Sequence, residues 1–158
     1  MIIEQDQEFV MNLQRFIEFI GTFAFALSGI RLAASKHYDW LGGFVCGFAV
    51  AIGGGTIRDV MLGVRPFWML SPIYMICTLF AQCVVIVCHN YLKRLDTTWF
   101  LFDTLGLALF NIAGIQKTLD CGFPFWVAII MGCITGAAGG VIRDVLLNEE
   151  PVIFRKEI

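Results

Sequence analysis

Five long apolar stretches divide this chain, at residues 16–34, 40–62, 67–89, 99–115 and 123–147. Short polar segments separate them: Ser35 to Asp39, Gly63 to Pro66, Tyr91 to Asp96 and Gln116 to Gly122. Each stretch is close to the ~20 helical residues that cross a hydrocarbon core of ~30 Å. Strand-like alternation is absent, and a bilayer interior offers no water to unpaired backbone groups, so the stretches predict helices. Pro72 falls near the start of the third, where a missing N–H matters little. The expected fold class is an all-α membrane protein with five spans.

Composition agrees with the pattern. Hydrophobic residues make up 58% of the chain and charged residues 15%, with a mean hydropathy of +0.78. A soluble domain is typically about half apolar and a quarter charged. The net charge of −2 comes with no Lys/Arg footprint, so a nucleic-acid partner is not expected. Cys46, Cys77, Cys83, Cys88, Cys121 and Cys133 lie in or beside apolar runs, form no CxxC pair, and are not spaced as ligands with His37 or His89. They read as small buried apolar residues rather than as a metal or redox centre, and no metal or cofactor is expected. The first residues are acidic and lead into no small-residue cleavage site, so the first span is expected to be retained.

Comparing the chain with itself adds more. Arg58 and Arg143 are separated by 85 residues, and that offset aligns a whole unit without a gap. Gly21 then matches Gly106, Phe25 matches Phe110, Gly47 matches Gly132, and Gly54 and Gly55 match Gly139 and Gly140. The run Ile57, Arg58, Asp59, Val60 is repeated as Ile142, Arg143, Asp144, Val145, with Leu62 over Leu147 and Pro66 over Pro151. Glu18 stands opposite Asp103 as a conservative pair. Residues 16–90 form the first three-helix repeat. Residues 99–158 form the second, in which two helices are present and the third is missing. Three spans is an odd number, so the second copy enters the membrane from the opposite face. Inverted repeats of this kind place transport pathways at the repeat interface and use interrupted helices.

The same alignment nominates the polar residues. Gly53, Gly54 and Gly55 in the second span, and Gly139 and Gly140 in the fifth, remove side chains where Gly is ~1 kcal/mol worse than Ala in a helix. They allow either close helix packing or an unwound turn facing a polar pathway, and beside a charged pair the second is the expectation. Thr56 offers its hydroxyl either to a passing ion or to its own backbone. Arg58 and Arg143 lie inside apolar spans, where an Arg at mid-depth costs ~2.5–3.5 kcal/mol, so partners are expected. Asp59 and Asp144 sit about 100° round the helix and face their own Arg poorly. Glu18 is the better partner for Arg58, and Asp103 for Arg143. The alternative is that both arginines snorkel to the interface. Gln82, Asn111 and Gln116 read as glue between helices. Lys/Arg bias places the N-terminus outside, with Arg31, Lys36, Lys93, Arg94, Arg155 and Lys156 inside and Arg15, Arg65 and Lys117 outside. No HExxH, GxSxG or P-loop is present, so an enzyme is not expected.

The doubled run from Gly53 to Asp59 and from Gly139 to Asp144, with its 85-residue inverted repeat, closely resembles the prokaryotic trimeric intracellular cation (TRIC) channels, a family also catalogued under a glycine transporter domain name. The resemblance extends from about residue 16 to residue 154. It implies seven transmembrane helices, of which five are present here, and a homotrimer in the cell (inner) membrane with one pore per protomer. It implies monovalent cations, chiefly potassium, as the permeant species, and glycine breaks in helices 2 and 5 that shape the pore. Three functions remain open on the residues alone. The first is a channel whose arginines set the field or latch a gate. The second is a carrier that grips a small zwitterion such as glycine by Arg and acid, and the third is a non-conducting scaffold.

Overall fold

A computed structural model describes residues 2–88 and 98–154, with the side chains of 11–88, 100–151 and 153–154. His89, Lys93, Arg94, Arg155 and Lys156 lie outside the described residues. The described residues form five α-helices: α1 (Ile2–Ser35), α2 (Trp40–Met61), α3 (Ile73–Val87), α4 (Thr98–Asp120) and α5 (Phe125–Leu146). Short 3-10 turns occupy Phe67–Leu70 and Val152–Phe154. Met11–Ser35, α2 and α5 are long and apolar enough to cross a membrane; α3 is a shorter apolar helix. The expected third span is thus corrected at its start. Phe67–Leu70 is a separate turn, and Pro72, which cannot donate a backbone N–H, stands at the N-cap of α3.

Polar punctuation ends the helices as its chemistry requires. Asp39 caps α2, its Oδ1 accepting the Gly42 N–H at 2.7 Å. At the far end of α2, Gly63 adopts φ +71°, and Val64 N–H closes back on the Asp59 carbonyl at 2.9 Å. The end of α5 repeats this, with Asn148 at φ 53° and Glu149 N–H on the Asp144 carbonyl at 2.8 Å. His37 (φ 62°) and Gly122 (φ +80°) turn the chain after α1 and α4. These four positive-φ residues form two pairs at the 85-residue offset. The repeat is therefore written in the backbone as well as in the side chains.

Helices α1, α2, α5 and α4 pack in a closed ring, each against the next, and α3 lies against α1 and α2. Lipid tails supply no hydrophobic drive between helices, so small residues and close packing hold them together. The contacts are reciprocal, as a two-fold axis between the repeats requires. A Cβ on Gly21 would meet the Phe110 ring at 3.0 Å, and one on Gly106 would meet Phe25 at 2.8 Å. Phe25 and Phe110 stack on each other with centroids 5.4 Å apart, and both are buried. A Cβ on Gly54 would sit 2.1 Å from the Thr135 carbonyl oxygen, and one on Gly139 would sit 3.0 Å from that of Val50. Position 135 is the repeat partner of position 50.

The outside of the ring is apolar. Val60, Ile76, Phe80, Val87, Leu101 and Trp126 are each more than half exposed. In water so many large exposed apolar side chains would aggregate; around a transmembrane bundle they face acyl chains. The cysteines partly depart from expectation. Cys46 and Cys77 are buried, whereas Cys83, Cys88, Cys121 and Cys133 are exposed on this surface. Lipid accepts a thiol as readily as a protein core does, so apolar neighbours in sequence do not signal burial inside the protein.

Candidate functional site

Two arginine clusters occupy opposite ends of the ring, and the local fold brings each together. Arg58 lies in the last turn of α2 and is fully buried. Its Nη2 pairs with Glu18 Oε1 of α1 at 3.1 Å, and its Nε donates to Asp59 Oδ1 at 2.8 Å. Asp59 Oδ2 accepts the Phe67 N–H at 2.8 Å, and Lys117 Nζ of α4 reaches the same carboxylate at 3.0 Å. The Phe67 ring lies 5.8 Å from the guanidinium carbon, which adds a cation–π contact. Gly55 makes room for that ring, since a Cβ there would fall 2.4 Å from it. Tyr74 donates its hydroxyl to Glu18 Oε2 at 3.4 Å.

Arg143, in the last turn of α5, is equally buried. Its Nη1 pairs with Asp103 of α4 and donates to Ser28 Oγ of α1 at 2.8 Å. Its Nε donates to Asp144 Oδ1 at 2.8 Å. Gly140 leaves space beside this pair: a Cβ there would lie 3.6 Å from both Asp103 carboxylate oxygens.

The Arg58–Glu18 and Arg143–Asp103 contacts are those expected from the repeat. Snorkelling is excluded, because neither guanidinium reaches the surface. Two expectations are corrected. Asp59 and Asp144 do bond their neighbouring arginines, because the long Arg side chain folds back and presents Nε, which a Cβ-to-Cβ argument on the helix surface ignores. The glycine segments do not interrupt their helices either. Both α2 and α5 are continuous through Gly53, Gly54, Gly55, Gly139 and Gly140. Gly54 and Gly139 instead let the backbones of α2 and α5 touch, and Gly53 accommodates Ile142.

Thr56 bonds its own helix, donating to the Ile52 carbonyl at 2.7 Å and accepting from Trp68 Nε1 at 3.1 Å. Trp68→Phe should therefore lose about 1 kcal/mol of stability, the usual net worth of one hydrogen bond. An unchanged unfolding midpoint in mixed micelles would show that this bond does not anchor the Phe67–Leu70 turn. Gln82 acts between helices as expected, donating to the Trp40 carbonyl at 3.1 Å. Gln116 bonds Asp120 within its own helix.

Sequence reasoning missed Ser28 and Lys117 as members of the clusters. Both break the repeat: Ser28 corresponds to Ala113, and Lys117 to Leu32. That mismatch was the available signal. The two clusters consequently differ. Arg58 Nη1 has no hydrogen-bond partner among the described residues, whereas the equivalent nitrogen of Arg143 has the Ser28 hydroxyl.

Buried charge balanced by acids inside a lipid-facing helical ring fits a multi-pass membrane protein of the channel or transporter kind. Residues 15–90 and 100–158 match the family described as glycine transporter, and the chain belongs to that family. It is 39% identical over 145 residues to the UPF0126 inner membrane protein YadS of Escherichia coli K12, covering 90% of this chain and 70% of YadS. It is 35% identical over 141 residues to the UPF0126 membrane protein YvgT of Bacillus subtilis, covering 88% of this chain and 70% of YvgT. Among solved structures it shares its fold with the TRIC trimeric intracellular cation channel orthologue from Rhodobacter sphaeroides. The TM-score is 0.86 at 33% identity, over 92% of this chain and 76% of that one. A prokaryotic TRIC channel also superposes with a TM-score of 0.86 at 26% identity, over 93% of this chain and 76% of that one.

Proposed function

We propose that this chain is the pore-forming protomer of a homotrimeric cation channel in the inner membrane, with its N-terminus outside and potassium as the chief permeant ion. The observation that carries the reading is the pair of buried, acid-neutralised arginines, one in the last turn of α2 and one in the last turn of α5. Between them the two helices touch at Gly54 and Gly139 with no side chain intervening. A pathway along this line would meet backbone at its centre and a charged cluster at each mouth. Each Arg is offset by at least two carboxylates, so a cation does not confront a bare positive charge. The clusters would act as latches, closed when the ion pairs are made. Similarity to solved cation channels supports the same reading. No cofactor takes part, and the partners are lipid and two further copies of the chain.

The test is reconstitution of the full-length protein in planar bilayers with potassium on both sides. Unitary potassium currents are expected, and silence at every voltage would defeat the proposal. The second reading, a carrier for a small zwitterion, draws on a cavity of about 570 Å³ that brings Arg15 and Lys117 together with Glu18. Saturable uptake of labelled glycine without unitary current would favour it.

A further inference from the structure

The two ends of the molecule are tied with unequal strength. At the Arg143 end, three contacts run from α1 and the turn after it to α5 and its end. Ser28 Oγ accepts from Arg143 at 2.8 Å, Tyr38 donates its hydroxyl to the Leu146 carbonyl at 3.2 Å, and Lys36 pairs with Glu149. None can be made at the other end. The residues corresponding to Ser28, Lys36 and Tyr38 are Ala113, Cys121 and Phe123, and Glu149 corresponds to Val64. There, among the described residues, Lys117 ties across the repeats to Asp59. Space follows the same division. The cavity beside Glu18, Tyr74 and Lys117 is about 570 Å³, while the one beside Asp103 and Arg143 is about 20 Å³, room for roughly one water.

We propose that the α1–α2 turn is a strap that holds the Arg143 end closed, with Lys36 and Tyr38 as positioning residues acting on the end of α5. The proposal rests on the channel reading and adds to it which end gates and what releases it. The left-handed turn at His37 sets the strap's geometry by aiming Tyr38 back over α5. Lys36 and Glu149 are part-exposed, with side chains 40% and 32% accessible, so their attraction is open to screening by salt. The Ser28 bond is buried and is not. Ionic strength at that face therefore acts on the strap and leaves the Arg143 cluster itself intact.

Single-channel recording of the full-length protein in 0.1 M KCl tests this with Lys36→Glu, Glu149→Lys and the double reversal. Each single reversal should raise the open fraction about two- to fivefold, the equivalent of an exposed ion pair. The double reversal should return it to the wild-type level. At 1 M KCl the differences should shrink, as the screening length falls from about 10 to about 3 Å. Tyr38→Phe, which keeps the ring and removes the donor, should act in the same direction without salt dependence. Single reversals that leave the open fraction unchanged, or a double that fails to restore it, would overturn the strap. Amide hydrogen exchange over residues 144–149 provides a readout that needs no current. Exchange should rise in the single variants and fall back in the double. If the wild type carries no current while exchange follows the pair, the channel reading fails and the tie stands. If the wild type conducts and neither quantity responds, the strap fails and the channel reading stands.

Discussion

Arg143→Met should destabilise the protein by about 3–5 kcal/mol, the cost of leaving a buried charge network without its cation. Asp103 and Asp144 would face each other in a low-dielectric site with no countercharge, and Ser28 would lose the guanidinium donor. The midpoint of urea unfolding in mixed micelles measures the loss. Combining Arg143→Met with Asp103→Asn and Asp144→Asn should recover much of it, because a neutral replacement of an entire buried ion network is often tolerated. Arg58→Met should be milder, since Asp59 would keep both Lys117 and the Phe67 N–H and only Glu18 would lose its cation. Equal losses for the two arginines, or a wild-type midpoint for Arg143→Met, would contradict the assignment of partners.

The second large effect is expected at the α2–α5 contact. Gly54→Ala should cost at least the ~1–3 kcal/mol typical of overpacking, because the new methyl would fall 2.1 Å from a backbone carbonyl that cannot rotate away. Gly140→Ala, next to Gly139 in sequence but on the face of α5 that looks toward Asp103, should be near neutral or stabilising. Its nearest neighbours lie at 3.6 Å, and Ala is ~1 kcal/mol better than Gly in a helix. The paired midpoints separate the two reasons for glycine in this helix pair. Matching losses at both positions would mean that helix geometry, rather than the close approach, is what the glycines serve.

That contrast also shows where reading residues in a line stops. Glycine at 53, 54, 55, 139 and 140 signals that side chains are unwanted, and it does so without saying why. A helix break and a helix contact call for the same residue. The structure distinguishes them by setting the Thr135 carbonyl against Gly54 and the Phe67 ring against Gly55. Arg58 and Arg143 were legible because a charge inside an apolar run is expensive wherever it points, and Glu18 and Asp103 because the repeat put them at matching positions. Lys117 and Ser28 were not, since each occurs in one copy only and a repeat reports what its copies share. Asp59 and Asp144 were misjudged for another reason: backbone spacing describes where Cβ atoms lie, not where a long arginine side chain ends.

The sequence by itself determined the helical membrane class, the 85-residue repeat and the two arginines that need partners. Each of these follows from hydropathy, chain periodicity or the energy of a buried charge, and such quantities are local. Only the tertiary structure decided that α2 and α5 run unbroken, that Lys117 and Ser28 complete the clusters, and that one end is tied more firmly than the other. Those features depend on which surfaces meet across a ring of four helices, and contact between residues ~60–115 positions apart leaves no mark on either one's immediate neighbours in the chain.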